Sequence, residues 1–159
     1  MLVRDFIGVP VPLEAAVTAV TDPHLWTRAL DQGLDPDVQM ILARFGIQGL
    51  FGESSNPADV RIGTPTHQPR GTIVDVQWQP GDSRGWVPVM QADVTLSALG
   101  SQLSHLEFNG CYCRSSALSA TPADRVMQHR VVEYAVRLIL IRMARGLVGG
   151  HHQSSAVPQ

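Results

Sequence analysis

The sequence predicts an α+β domain in which one long C-terminal helix lies across an antiparallel sheet. Three observations predict it. Three consecutive segments between residues 72 and 113 alternate apolar and polar residues, a capped helical pattern runs from about residue 121 to 147, and 159 residues suit a single domain with one core.

The strands carry the clearest pattern. Segments 72–79, 86–96 and 102–113 are separated by Pro80-Gly81-Asp82 and by Ala98-Leu99-Gly100-Ser101, which makes a meander. Alternate residues of a strand point to opposite faces. One face collects Val74, Val76, Trp78, Trp86, Met90, Ala92, Val94, Leu96, Leu106, Phe108, Gly110 and Tyr112. The other reads Asp75, Gln77, Gln91, Asp93, Thr95, His105, Glu107 and Asn109. A sheet apolar on one side only must be covered there by another layer.

Thr121-Pro122-Ala123-Asp124 opens the covering helix with an N-cap and a proline at its first position. At about 100° per residue, Arg130, Glu133 and Arg137 share one face, while Val131, Val132, Ala135, Leu138, Ile139 and Met143 share the face expected to meet the sheet. Gln128 and Arg142 interrupt that inner face. Arg142 has three readings there: it snorkels to water, pairs with a carboxylate, or projects into a cavity that holds a polar ligand group. Ala135 faces Ala92 and Gly110, where small side chains leave room for a ligand unless the space is closely packed. Gly149-Gly150 is read as the helix stop, giving a domain over 1–148 and a flexible tail over 149–159.

Ahead of the meander, a strand over 2–11 closes at Pro10 and Pro12, and a short helix follows with Leu13, Ala16, Val17 and Val20 at helical spacing. Thr21-Asp22-Pro23 interrupts it. A second helix starts near His24 with Leu25, Trp26 and Leu30, and Asp35-Pro36 restarts a helical pattern through Val38, Ile41, Leu42 and Phe45 to Gly46. Two weaker strands are expected over 47–53 and 59–66.

Composition excludes several function classes. A formal charge of -2 gives no general attraction to phosphates, so nucleic acid is not an expected partner. All twelve basic residues are Arg, a bias suited to a GC-rich genome. The N-terminus lacks a basic and apolar leader and no run reaches ~18 apolar residues, so a cytoplasmic protein without membrane insertion is expected. Cys111 and Cys113, even with His105, fall short of a metal set, and GxSxG, P-loop and GxGxxG motifs are absent, so neither metal nor cofactor is expected.

The stretches TIVDVQW, PVMQADVTLSALG, QLSHLEFNGCY and MQHRVVEYAVRLIL, in the order strand, short helices, meander, long helix, resemble the START-like, polyketide cyclase/dehydratase and lipid transport superfamily (SRPBCC). The resemblance spans residues 2–147 and rests on fold signatures. It implies a helix-grip fold, a curved sheet of six or seven strands around the last helix, with a deep cavity that elsewhere takes lipids, sterols, polyketides or plant hormones. The expected function is therefore binding of a small hydrophobic ligand; the alternative is a cyclase or dehydratase using the same cavity, and the sequence leaves open whether any reaction is catalysed. The candidate cavity residues are Trp78, Met90, Ala92, Phe108, Tyr112, Gln128, Val131, Ala135, Leu138 and Arg142. Tyr112 or Tyr134 could offer a hydroxyl to a ligand carbonyl. His105 and Glu107 fall on the solvent face, and His129 reads as a surface residue. A homodimer is left open.

Overall fold

Pro10 and Pro12 cannot extend a strand, and β1 (Leu2–Val9) stops just before them, with Val11 N–H turning back to the Val9 carbonyl at 2.8 Å. The chain then enters α1 (Leu13–Val20) and α2 (Pro23–Asp31). Asp22 is the N-cap of α2, its carboxylate accepting from His24 N–H at 2.9 Å with Pro23 in the first turn. Trp26 Nε1 donates to the Val20 carbonyl at 2.8 Å, which ties α2 to the end of α1. The computed structural model describes residues 1–32, 40, 59–79, 89–112 and 122–154, excepting the side chains of 122–125, 127, 128 and 151–154. The helix expected to follow Asp35-Pro36, the strand over 47–53 and the Trp86 end of the second long strand lie outside these residues.

The sheet follows as β2 (Asp59–Ile62), β3 (Thr66–Gln68), β4 (Gly71–Gln79), β5 (Met90–Gly100) and β6 (Leu103–Tyr112). Its order is β1-β6-β5-β4-β2, every pairing antiparallel, and β3 also pairs with β4. The single strand expected over 59–66 is two short ones on the same edge of β4, bridged by Gly63 N–H bonding the Asp75 carbonyl at 2.8 Å. Gly71 enters β4 at φ +150°, where a Cβ would meet the Leu96 carbonyl oxygen, so only glycine fits. β5 runs to Gly100, further than the expected turn, because an irregularity between Ala98 and Gly100 absorbs the register shift.

The alternation holds along β4, β6 and most of β5. Val74, Val76, Trp78, Met90, Ala92, Val94, Leu96, Leu106, Phe108 and Tyr112 are buried, in one cluster with Val3, Val9, Trp26, Leu30 and the long helix α3 (Pro122–Ser154). Each large apolar side chain so buried contributes about 1.5–3 kcal/mol. The buried stripe of α3 is Val132, Ala135, Val136, Ile139, Leu140, Met143 and Leu147, with Val131 and Leu138 only partly buried at its margin. The helix is thus turned from the expected orientation: it lies along β1 and against α2, and Arg137, while exposed, reaches β1. It also continues past Leu147 to Ser154, through Gly149 and Gly150. Neither glycine adopts the positive φ of a helix stop.

β1 forms one edge of the sheet, and α3 closes it. Arg137 Nη1 lies 3.1 Å from Asp5 Oδ1 and donates to the Phe6 carbonyl at 2.7 Å, while Phe6 N–H is taken by Asp5 Oδ1 at 2.8 Å. The mid-strand backbone groups that an edge would otherwise offer to another chain are thereby occupied. On the opposite flank Gly146 lets α2 approach, since a Cβ there would sit 2.7 Å from Leu25 Cδ1. No helix among the described residues is long and apolar enough to cross a membrane.

Candidate ligand site between the sheet and the long helix

The inner face of the sheet presents an aromatic ladder. Trp26 and Trp78 have ring centroids 5.8 Å apart and Trp78 and Phe108 5.7 Å apart, the pairs tilted by 35° and 31°. The pairings Trp78 with Met90 and Met90 with Tyr112 bring these three side chains to one end of the sheet, and Ala92 with Gly110 forms the next rung. A Cβ at Gly110 would lie 2.6 Å from Phe108 Cε1 and 2.8 Å from Met90 Sδ. The room expected over Gly110 is therefore used by the Phe108 ring and the Met90 thioether. Ala92 and Ala135 are both buried, and Val131 and Leu138 lie at the half-buried margin of the helix stripe.

Tyr112, the last inward residue of β6, is 2% exposed and supplies a polar group at the Trp78 end. Its hydroxyl lies 3.0 Å from His129 Nδ1, and the two rings are nearly parallel, 12° apart with centroids at 6.1 Å. His129 Nε2 is 3.5 Å from Glu133 Oε1, and Glu133 Oε2 is 3.2 Å from Arg130 Nη1. Met1 Sδ sits 3.2 Å from the Tyr112 hydroxyl. Tyr112, His129 and Glu133 form a connected polar chain, so His129 is not the solvated surface residue that the helical wheel suggested. The signal that could have found it is the i, i+4 spacing of His129 and Glu133, about two to three turns into the helix.

Arg142 reaches from α3 to α2. Its Nη1 donates to the Ala29 carbonyl at 3.1 Å. Ala29 stands in the last turn of α2, where carbonyls lack helical partners and a cation complements the dipole. The guanidinium clasps α2 to α3. Tyr134 is 40% exposed on the outer side of α3, which removes it as a hydroxyl for the interior. The Gln128 side chain lies outside the described residues. Asp5 falls on the inner face of β1, opposite Phe108, and its pair with Arg137 seals the β1 side of the sheet and helix. Its signal was legible: a carboxylate interrupts the inward series Val3, Ile7, Val9.

Polar groups on the outer face stand in small, separate sets. Glu107 is held below the usual carboxylate range, first by the hydrogen bond from Asn109 Nδ2 at 3.1 Å, with Arg4 Nη2 at 2.6 Å adding to it against the opposing effect of burial. His105 packs on Phe6 with centroids 5.4 Å apart. Both lie outside the interior, as the alternation predicts. Among the described residues no three metal-ligating side chains converge. An open depression of about 440 Å³ lies along the exposed side of α2 at His24, Thr27, Arg28, Asp31 and Gln32, the face opposite to buried Trp26. It is wide and solvent-facing, unlike the apolar enclosure usual for a hydrophobic ligand.

No family model and no curated protein matches the sequence. Solved structures do match. The chain is similar to a protein from Thermus thermophilus, at 9% identity over 94% of this chain and 99% of that one, with a TM-score of 0.55. It is similar to a START superfamily protein from Mycobacterium smegmatis, at 11% identity over 91% and 97%, TM-score 0.50. It is also similar to the Zhui aromatase/cyclase from Streptomyces sp. R1128, at 12% identity over 92% and 93%, TM-score 0.50. With the antiparallel sheet, the two early helices and the long last helix in the expected order, the chain has a START-like helix-grip fold.

Proposed function

We propose that the protein binds a small hydrophobic ligand, lipid-, sterol- or polyketide-like, between the sheet and α3. One observation carries this reading. The inner sheet face is apolar over most of its described length and ends in a buried hydroxyl, that of Tyr112, backed by His129. Such a wall of aromatic and aliphatic side chains with few polar groups is the usual chemistry of a small-molecule site. Trp78, Met90, Ala92 and Phe108 would face the ligand from the sheet, with Val131, Ala135 and Leu138 facing it from the helix. We assign Arg142 to the support of α2 rather than to the ligand, because its guanidinium is held by Ala29. The START superfamily and aromatase/cyclase relatives of the fold agree with a ligand-binding use, which comes here by likeness of fold alone.

Ligand binding to the native state must raise the melting temperature, by about 2.7 kcal/mol of stabilisation at a hundredfold excess over Kd. A panel of fatty acids, sterols and aromatic polyketides should yield at least one such shift, accompanied by a change in tryptophan emission from Trp26 and Trp78. A panel that leaves both signals unmoved removes the proposal. A second reading, a cyclase- or dehydratase-type enzyme in the same space, is favoured specifically by the Tyr112, His129 and Glu133 chain, whose members can pass a proton. Its test is product formation from a ligand that passes the binding screen.

A further inference from the structure

β1 is an edge of the sheet, and its pairing with β6 decides which of its backbone groups face outward. Met1 and Tyr112 exchange both backbone hydrogen bonds, each at 2.9 Å, so Val3, Asp5, Ile7 and Val9 turn theirs to β6 as well. Leu2, Arg4, Phe6 and Gly8 therefore present N–H and C=O away from the sheet, on the side where no described strand pairs. Both groups of Phe6 are taken, its N–H by Asp5 Oδ1 at 2.8 Å and its carbonyl by Arg137 Nη1 at 2.7 Å. Arg137 Nη1 also lies 3.1 Å from that same Asp5 oxygen, so one ion pair closes the central rung. The rest of the strand suits pairing. Leu-Val-Arg-Asp-Phe-Ile-Gly-Val combines high β-propensity with one charge of each sign and no proline. Leu2 and Phe6 are 78% and 60% exposed, so the outer flank of the strand is open to another chain.

We infer that the clasp between Asp5 and Arg137 is a gate on an interaction surface: with the clasp open, β1 pairs antiparallel with β1 of a second copy of this chain, and with it closed the copies stay apart. The occupant follows from the strand itself. In the register that sets Phe6 opposite Phe6, Arg4 falls opposite Gly8 of the second copy, so like charges are kept apart and two apolar rings meet on the outer flank. Each rung of that register uses an outward N–H and carbonyl, and its central rung is the one that the clasp occupies. Arginine suits the task because its planar head can hold a carboxylate and a carbonyl together. An unguarded edge is a template for another chain, and natural edges are guarded by charges or by a covering helix. Here a helix supplies the charge. Nothing in the gate depends on a bound ligand.

The mass of the full chain in solution tests the gate, measured by light scattering across a concentration series. Arg137→Met removes the guanidinium and should double the mass of the native chain. Asp5→Ala frees both groups of Phe6, should double the mass in the same way, and takes the place of Arg137→Met if that variant fails to fold. Adding Gly8→Pro to either should restore the native mass. Proline there removes an outward N–H and no bond to β6, and a Cβ at Gly8 meets nothing within 4 Å. In the native chain, hydrogen exchange followed residue by residue should find the Phe6 N–H slower than those of Arg4 and Gly8, which face outward without the clasp. A Phe6 N–H that exchanges as fast as theirs overturns the inference, and this measurement decides even where no variant folds. A mass unchanged in the folded variant overturns it too. So does association that Gly8→Pro leaves in place, which would run through another surface. A native chain whose own mass falls on Gly8→Pro is the remaining contrary result, because the edge would then be open with the clasp in place.

Discussion

Phe108 and Asn109 are neighbours on β6, yet one is fully buried beneath α3 and the other lies on the open side of the sheet with its amide on Glu107. The same contrast separates Trp78 from Gln77 and Val94 from Asp93. Because strand residues alternate, three strands deliver one face that excludes water and another that meets it, and the two faces carry different kinds of energy. On the inner face, loss of a ring leaves a void among atoms that cannot close it. Along the outer face, removed groups are replaced by water. The contrast predicts that Phe108→Ala is among the most damaging substitutions in the molecule, at about 3–5 kcal/mol, because the ring is wedged between Trp78 and Gly110. Asn109→Ala should stay within about 0.5 kcal/mol despite losing a hydrogen bond to a carboxylate on the open face. Chemical denaturation of both variants tests the comparison, and equal losses would break it.

Between these extremes stands Arg142, partly buried and bound to a backbone carbonyl. Read from the helical wheel, Arg142→Met should leave stability unchanged or raise it and weaken acidic ligands selectively. The Ala29 contact reverses both expectations. Removing a charge-assisted hydrogen bond at the end of α2 should cost about 1–2 kcal/mol, discounted from the usual range because water can partly replace it. A carboxylate ligand and its methyl ester should then lose affinity alike, if at all. A selective loss of the carboxylate would return Arg142 to the ligand site.

The fold was legible because its strongest signal, period-two alternation over three successive strands, depends on burial alone and survives without knowledge of any partner. The aromatic wall followed from the same signal, and Trp78, Met90 and Phe108 stand where the alternation put them. The polar chain was not legible, because its geometry depends on the rotation of α3 about its axis. A wheel fixes which residues share a face, but not which neighbour that face meets. Val131 and Val132 look equivalent on the wheel, yet only Val132 enters the core, and that small turn carries Arg137 toward β1 and His129 onto Tyr112. The contact of Arg142 with Ala29 was not legible for a related reason: backbone acceptors leave no mark in a sequence. The stop at Gly149-Gly150 failed because glycine permits a helix end without requiring one.

The smallest effect belongs to the outer face and tests whether it is as inert as the comparison implies. Asp75 and Asp93 stand directly opposite each other on β4 and β5. The carboxyl of Asp93 is raised above its ordinary value, first by its hydrogen bond to Asp75, then by burial, and then by the Asp75 charge. A raised carboxyl binds its proton more tightly in the folded chain than in the unfolded one. Its contribution to stability is thus fully present below the unfolded pKa and is lost as pH rises through the raised folded value. Like charges opposite one another on an exposed ladder cost only a few tenths of a kcal/mol after screening by water. Asp93→Asn should therefore raise stability by about that amount at neutral pH and remove the part of the pH dependence that Asp93 contributes between acid and neutral conditions. Below the unfolded pKa the two proteins should converge, since Asp93 is then protonated in either state. Melting temperatures measured from about pH 3 to 7 read both effects, and a variant less stable than the native chain at neutral pH would mean that the carboxylate pair holds something the outer face is not expected to hold.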